Sequence, residues 1–174
     1  MAERAGPLSG VRAVTCSTAQ AGTVPYMMMA DLGAEVIKVE VPGVGDGSRT
    51  AGELRGEISS FFETNNRGVK SVTLNLKSAE GRKILHRLIE TADIFGQNFR
   101  PGAAEKNGFG YEELKKINPK LVYVSVSGYG QRGPHSGLPG TDAVGQALGG
   151  ISEAYAGPGE AMKTGVVSVA DESC

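Results

Sequence analysis

Tryptophan is absent from this chain, and cysteine and histidine occur only twice each. Cys16 and Cys174 stand at opposite ends with no metal-ligand spacing around them, so no structural metal site is expected. Neither sign of charge dominates: 18 Lys and Arg against 19 Asp and Glu leave a net charge of -1. That balance offers no electrostatic footprint for nucleic acid. No apolar run approaches the length of a membrane span, and the opening Met1-Ala2-Glu3-Arg4-Ala5-Gly6-Pro7 lacks the apolar core of a secretory signal. The expectation is a cytoplasmic protein without a membrane partner. At 174 residues the chain is long enough for one domain with its own core.

Glycine is what the chain has in excess. Its 26 residues are about twice average usage, yet they fall between periodic segments and form no low-complexity tract. This favours the tight strand-to-helix turns of an α/β protein. No internal repeat is visible.

Val11 to Cys16 reads as a short buried strand leading into the small, polar loop Ser17 to Thr23. Pro25 then opens a helix to Leu32, with Thr23 as its cap and Gly33 as its stop. Met27, Met28 and Met29 read as core filling. Ala34 to Glu40 alternates apolar and charged residues, which predicts a second strand and completes a βαβ unit. Gly43 to Arg49 has glycines at the wrong spacing for a dinucleotide fingerprint and reads as a mobile loop. Val69 to Lys77 alternates again as a third strand, and Ser78 opens the clearest helix, with Ile84, Leu85, Leu88, Ile89 and Ala92 on one face. His86 reads as a surface residue of that helix.

The strand Asp93 to Gln97 delivers Asn98-Phe99-Arg100-Pro101-Gly102. Pro101 cannot continue a ladder, Gly102 permits an unusual backbone angle, and Arg100 offers five donors suited to phosphate or carboxylate. The alternative is a solvated turn with a surface arginine. A short helix over Tyr111 to Ile117 places acids first and lysines last, and Leu121 to Ser127 is a buried strand. Gly128-Tyr129-Gly130-Gln131-Arg132-Gly133 matches G-x-G-x-x-G literally, but Pro134, Gly137, Pro139 and Gly140 leave no room for the helix that pyrophosphate binding needs. It reads as an irregular loop, in which His135 is an unsupported general-base candidate. Asp142 to Leu148 reads as a small-residue helix. Val166 to Ala170 reads as a last strand running into Asp171 and Glu172.

Six short pieces in order resemble the class III coenzyme A transferases, the CaiB/BaiF family of formyl-CoA and carnitine-CoA transferases. They are Ala30 to Glu40, Asn66-Arg67-Gly68, Leu74-Asn75-Leu76-Lys77, Asn98 to Gly102, Asn118-Pro119 and Ser127-Gly128-Tyr129-Gly130. The resemblance implies an α/β fold with a Rossmann-like, mostly parallel sheet flanked by helices. It also implies that CoA moves from an acyl-CoA to a carboxylic acid acceptor through an aspartyl intermediate, with CoA as substrate and no covalent cofactor. Asp171 matches the nucleophile, whose alternative role is a helix cap. Gln20 matches a glutamine that steadies developing charge. Ala19, Ala21, Leu74, Asn75, Leu76, Lys77, Asn98, Phe99, Arg100, Lys106 and Thr141 match positions that bind CoA.

Departures from the family pattern are Thr15 for an aspartate, Thr23 for a proline and Thr141 for a tyrosine. The related 2-methylacyl-CoA racemases carry a histidine at the place of Thr141, so this chain is a poor racemase. Family members continue past the place of Asp171, add a second domain and interlock in pairs. The expectation for residues 1–174 is therefore the N-terminal CoA-binding portion of a transferase domain, self-associating as a homodimer or larger, either catalytic or a silent CoA-binding module.

Overall fold

In the computed structural model, which describes residues 6–165 and 167–172, the chain divides after Val126 into two compact units. The first is built on five parallel strands: β1 (Arg12–Thr15), β2 (Glu35–Glu40), β5 (Lys70–Thr73), β6 (Ile94–Gln97) and β7 (Val122–Ser125). Their order across the sheet is β5-β2-β1-β6-β7. Counting only these five in chain order gives 3-2-1-4-5, the doubly wound arrangement of the Rossmann-like class. Between β2 and β5 lie a short hairpin of β3 (Leu54–Arg55) and β4 (Ile58–Ser59), then helix α2 (Ser60–Asn66).

Alternation along the strands divides the core in two. Val14, Ile37, Val39 and Phe95 pack on one face with Leu85 and Ile89 of α3 (Ala79–Ile89) and Leu114 of a later helix. Ala13 and Val36 pack on the other with Tyr26 of α1 (Val24–Asp31). Ser78 caps α3 by accepting from the Gly81 N–H at 3.0 Å. Ile84, expected on the buried stripe, is exposed; Leu85, Ile89 and Ala92 are buried and Leu88 packs partly buried against the same core. Two further helices, α4 (Ala103–Lys106) and α5 (Tyr111–Ile117), separate β6 from β7. Gly96 is required where it stands: a Cβ there would lie 1.3 Å from the Tyr26 hydroxyl.

The alternation of β2 suggests a solvent face for Lys38, yet Lys38 is 1 % exposed. A strand in the middle of a parallel sheet is covered on both faces, and the charge is buried because Asp46 and Asn66 receive it. For the same reason the segment after β2, expected to be a mobile loop, is pinned at Asp46 and Ser48, both buried.

The second unit contains an irregular stretch over 127–141 with no helix, then α6 (Asp142–Leu148), α7 (Ile151–Ala154) and α8 (Val169–Glu172). The expected last strand is not seen. Val169 to Glu172 is helical, and Val166 lies outside the described residues. No helix among the described residues is long and apolar enough to cross a membrane.

Candidate functional site

The strand order reverses beside β1, which has β2 on one side and β6 on the other. Loops leaving the carboxyl ends of two such strands diverge, and ligands of open α/β sheets bind in the crevice between them. Here the two loops are tied together. Asn98 Nδ2 donates to the Thr18 carbonyl at 2.7 Å, and Asn98 Oδ1 accepts from the Thr18 N–H at 2.9 Å. Gly22 makes this approach possible, since a Cβ there would lie 2.5 Å from Asn98 Nδ2.

A cavity of about 410 Å³ opens at this edge of the sheet. Its walls are Cys16 and Thr18 after β1, Val39 to Pro42 and Gly45 at the end of β2, Asn75 to Lys77 after β5, Phe99 after β6, and Asn107 and Phe109. Its size falls within the range of small-molecule sites. Phe99 and Phe109 stand with ring centroids 5.7 Å apart, and Phe109 in turn meets Phe95 edge-on at 6.3 Å. These contacts fix an aromatic wall. Asn75 Oδ1 accepts from the Lys77 N–H at 3.1 Å, a turn that fixes the backbone beneath the lysine. An aromatic wall with a cation at its rim suits a heteroaromatic ring that carries phosphate.

The other ionisable groups on the wall are already committed. Burial pushes the Cys16 thiol up to about 12, so it lines the cavity as a neutral group. Burial also pushes the Glu40 carboxyl up, but hydrogen bonds from Arg49 and Ser71 and the arginine charge outweigh it and hold the group at about 2. Arg49 reaches Glu40 at 2.7 and 2.8 Å and Ser71 at 2.7 Å, which leaves that carboxylate saturated.

Of the residues singled out from the sequence, Asn75, Leu76, Lys77 and Phe99 meet in this cavity, with Asn98 beside it on the same loop as Phe99. Ala19, Gln20 and Ala21 form the first loop, where Gln20 is buried and Ala19 exposed. Leu74 packs into the core and is not on the cavity wall. Arg100 is exposed in the turn before α4, and Lys106 is exposed at its end. Asn107 and Phe109 went unmarked in the sequence, because nothing in their spacing separates them from an ordinary helix end.

Thr141 and Asp171 belong to the second unit. Thr141 is exposed and precedes α6. Asp171 sits on α8, whose first turn is capped from α6: Asp142 Oδ1 accepts from the N–H groups of Ala170 at 2.9 Å and Asp171 at 3.2 Å. Gln146, fully buried one turn along α6, donates to Asp142 Oδ2 at 2.5 Å and to the Val167 carbonyl at 3.2 Å. Its Oε1 accepts from the Gly165 N–H at 2.7 Å. The segment leading into Asp171 is thus held by two side chains four residues apart, Asp142 at Ala170 and Asp171, and Gln146 at Gly165 and Val167. Gln146 could not be picked out in a helix of small residues. His135 lies in the 127–141 stretch, edge-on to the Tyr129 ring at 5.9 Å.

Comparison with known proteins gives a consistent answer. A model of CoA-transferase family III matches residues 8–172. The chain is 41 % identical over 167 residues to an acetyl-CoA:oxalate CoA-transferase of Acetobacter aceti, covering 95 % of this chain and 43 % of that protein. It is 41 % identical over 163 residues to a human succinyl-CoA:glutarate CoA-transferase, covering 92 % of this chain and 37 % of the relative. Among solved structures, a CaiB/BaiF family protein from Brucella suis superposes with a TM-score of 0.89 at 38 % identity, over 97 % of this chain and 46 % of the other. The chain therefore spans a little under half the length of the relatives it matches.

Proposed function

The chain belongs to CoA-transferase family III, and on that premise we propose that it binds CoA in the cavity beside β1 and transfers it from an acyl-CoA to a free carboxylic acid through Asp171. The observation that carries this reading is the meeting of Asn75, Leu76, Lys77 and Phe99 in one cavity at the strand-order reversal. The aromatic wall takes the adenine, and Lys77, together with Arg100 next to Phe99 in the chain and Lys106 at the end of α4, supplies charge for the phosphates.

The chemistry is carboxylate nucleophilic catalysis. An Asp171 oxygen attacks the thioester carbonyl, the C–S bond breaks, and CoA leaves as thiolate from a mixed anhydride. The thiolate attacks the aspartyl carbonyl, releases the first acid and leaves an aspartyl-CoA thioester. The acceptor carboxylate then attacks that thioester and expels thiolate again. Attack of the thiolate on the acceptor acyl group forms the new acyl-CoA and regenerates the Asp171 carboxylate. Gln20 is assigned the amide that stabilises charge on the reacting oxygen. We extend the reading to self-association and a cytoplasmic location.

Calorimetry of CoA against the purified chain and its Phe99→Ala variant tests the binding part. Binding that weakens in the variant supports the assignment, and equal affinity in both removes it. Solution scattering tests self-association, which a strictly monomeric species would remove.

A further inference from the structure

Ala19 has φ of 60°, the single left-handed non-glycine residue among those described. An L-residue with a side chain avoids this region unless its surroundings hold it there. Its peptide groups are gripped on both sides. The Ala19 carbonyl accepts from the Thr23 hydroxyl at 2.5 Å, and the Ala19 N–H donates to Asp46 Oδ1 at 3.3 Å.

Asp46 is 1 % exposed and comes from a different loop. Its Oδ1 also accepts from the Ser48 N–H at 2.9 Å and the Ser48 hydroxyl at 2.8 Å, and its Oδ2 accepts from Lys38 Nζ at 2.5 Å. Lys38 Nζ donates as well to Asn66 Oδ1 at 2.6 Å. The Asp46 N–H is held by Glu40 at 3.0 Å. One side chain therefore joins the foot of the loop whose Val41, Pro42 and Gly45 wall the cavity to the loop that carries Gln20. Burial would push the Asp46 carboxyl up, but the hydrogen bonds from Lys38 and Ser48 and the lysine charge hold it below the ordinary carboxylate range.

We infer that Asp46 is a positioning residue: with its charge balanced by Lys38, it holds Ala19 in the left-handed turn and so fixes Gln20 for the transfer. The inference rests on the reading above only for what Gln20 does; the hold on Ala19 stands apart from it. Lys38 has the complementary task of making a buried carboxylate tolerable at that place.

The test compares the wild-type chain with two variants that remove both charges and leave no unpaired ion. Lys38→Met/Asp46→Asn keeps an oxygen facing Ala19, whereas Lys38→Met/Asp46→Leu does not. Amide hydrogen exchange is followed over residues 18–24 without ligand, alongside CoA affinity and the rate of covalent adduct formation at saturating acyl-CoA. The leucine variant is expected to exchange about tenfold faster over 18–24, the value of one hydrogen bond, with the asparagine variant restoring protection. Adduct formation at saturating acyl-CoA falls in the leucine variant beyond any change in CoA affinity, and recovers in the asparagine variant. Equal protection of 18–24 in both folded variants would overturn the inference, as would a loss that the asparagine fails to restore. If the leucine variant does not fold, Lys38→Met/Asp46→Ala, which admits water in place of the carboxylate, takes its place under the same criteria. A wild-type chain that binds no CoA would remove the functional reading, while the exchange comparison would still decide the role of Asp46.

Discussion

The Asn98 side chain pairs with the backbone of Thr18 as an adjoining strand would, giving one hydrogen bond at 2.7 Å and taking one at 2.9 Å. Through this pair the loops after β1 and β6 meet across the point where the sheet order reverses. Asn98→Ala removes both bonds and is expected to cost about 1–3 kcal/mol of stability, since the two Thr18 groups lose their partners. Urea unfolding checks the stability, and calorimetry checks an expected drop in CoA affinity. Asn98→Asp keeps the accepting half but sets a carboxylate oxygen against the Thr18 carbonyl, so it is expected to recover little of the loss.

Gly22→Ala introduces a Cβ at 2.5 Å from Asn98 Nδ2 and 2.8 Å from the Ser17 Cβ. The loops must part to admit it, with an expected cost of about 1–3 kcal/mol, as for overpacking elsewhere. A double variant with Asn98→Ala is expected to lose less than the sum, because the second change removes the nearer of the two obstacles. Thermal or urea unfolding of the four proteins measures that coupling, and strict additivity would contradict the geometry.

The Glu40 carboxyl lies at about 2 in the folded chain against an ordinary 4.5. A lowered carboxyl contributes stability that is complete above 4.5 and is lost as pH falls from there toward 2. The size is about 3 kcal/mol. Urea midpoints measured across this range are expected to decline with acid in the wild type and to decline less in Glu40→Gln. Parallel profiles would show that Arg49 and Ser71 do not hold the charge as described.

Gln146→Leu leaves the Gly165 N–H and the Val167 carbonyl without the partner that now serves both. Hydrogen exchange over 165–172 is expected to rise by at least about tenfold, the equivalent of one lost hydrogen bond. Asp142→Ala removes the cap of α8 and is expected to cost about 1 kcal/mol, with Asp142→Asn milder. Unchanged exchange in both variants would mean that α6 does not hold the Asp171 segment.

The strands β1, β2, β6 and β7 and the helix α3 were legible in the sequence because apolar runs, alternation and a capping serine state their local conformation directly. Lys38 was not, because a charge in an alternating strand gives no sign that Asp46, eight residues on, will bury with it. The last segment misled for a similar reason. Val167 and Val169 are β-branched, but the carboxylate of Asp142 satisfies the first N–H groups of a helix there, 28 and 29 residues away in the chain. In the site, Asn75 to Lys77 and Phe99 emerged through the family resemblance, and the fold brings them together. Asn107, Phe109 and Asp46 depend on tertiary contacts that no local pattern encodes.

The measurement that bears most directly on the account is intact-mass spectrometry of the purified chain after incubation with a panel of acyl-CoAs, with Asp171→Ala alongside. The wild type is expected to gain an acyl or CoA mass that hydroxylamine cleaves and that the variant lacks. A wild type that binds CoA but gains no mass, or a variant that gains the same mass, would contradict Asp171 as the nucleophile of this chain.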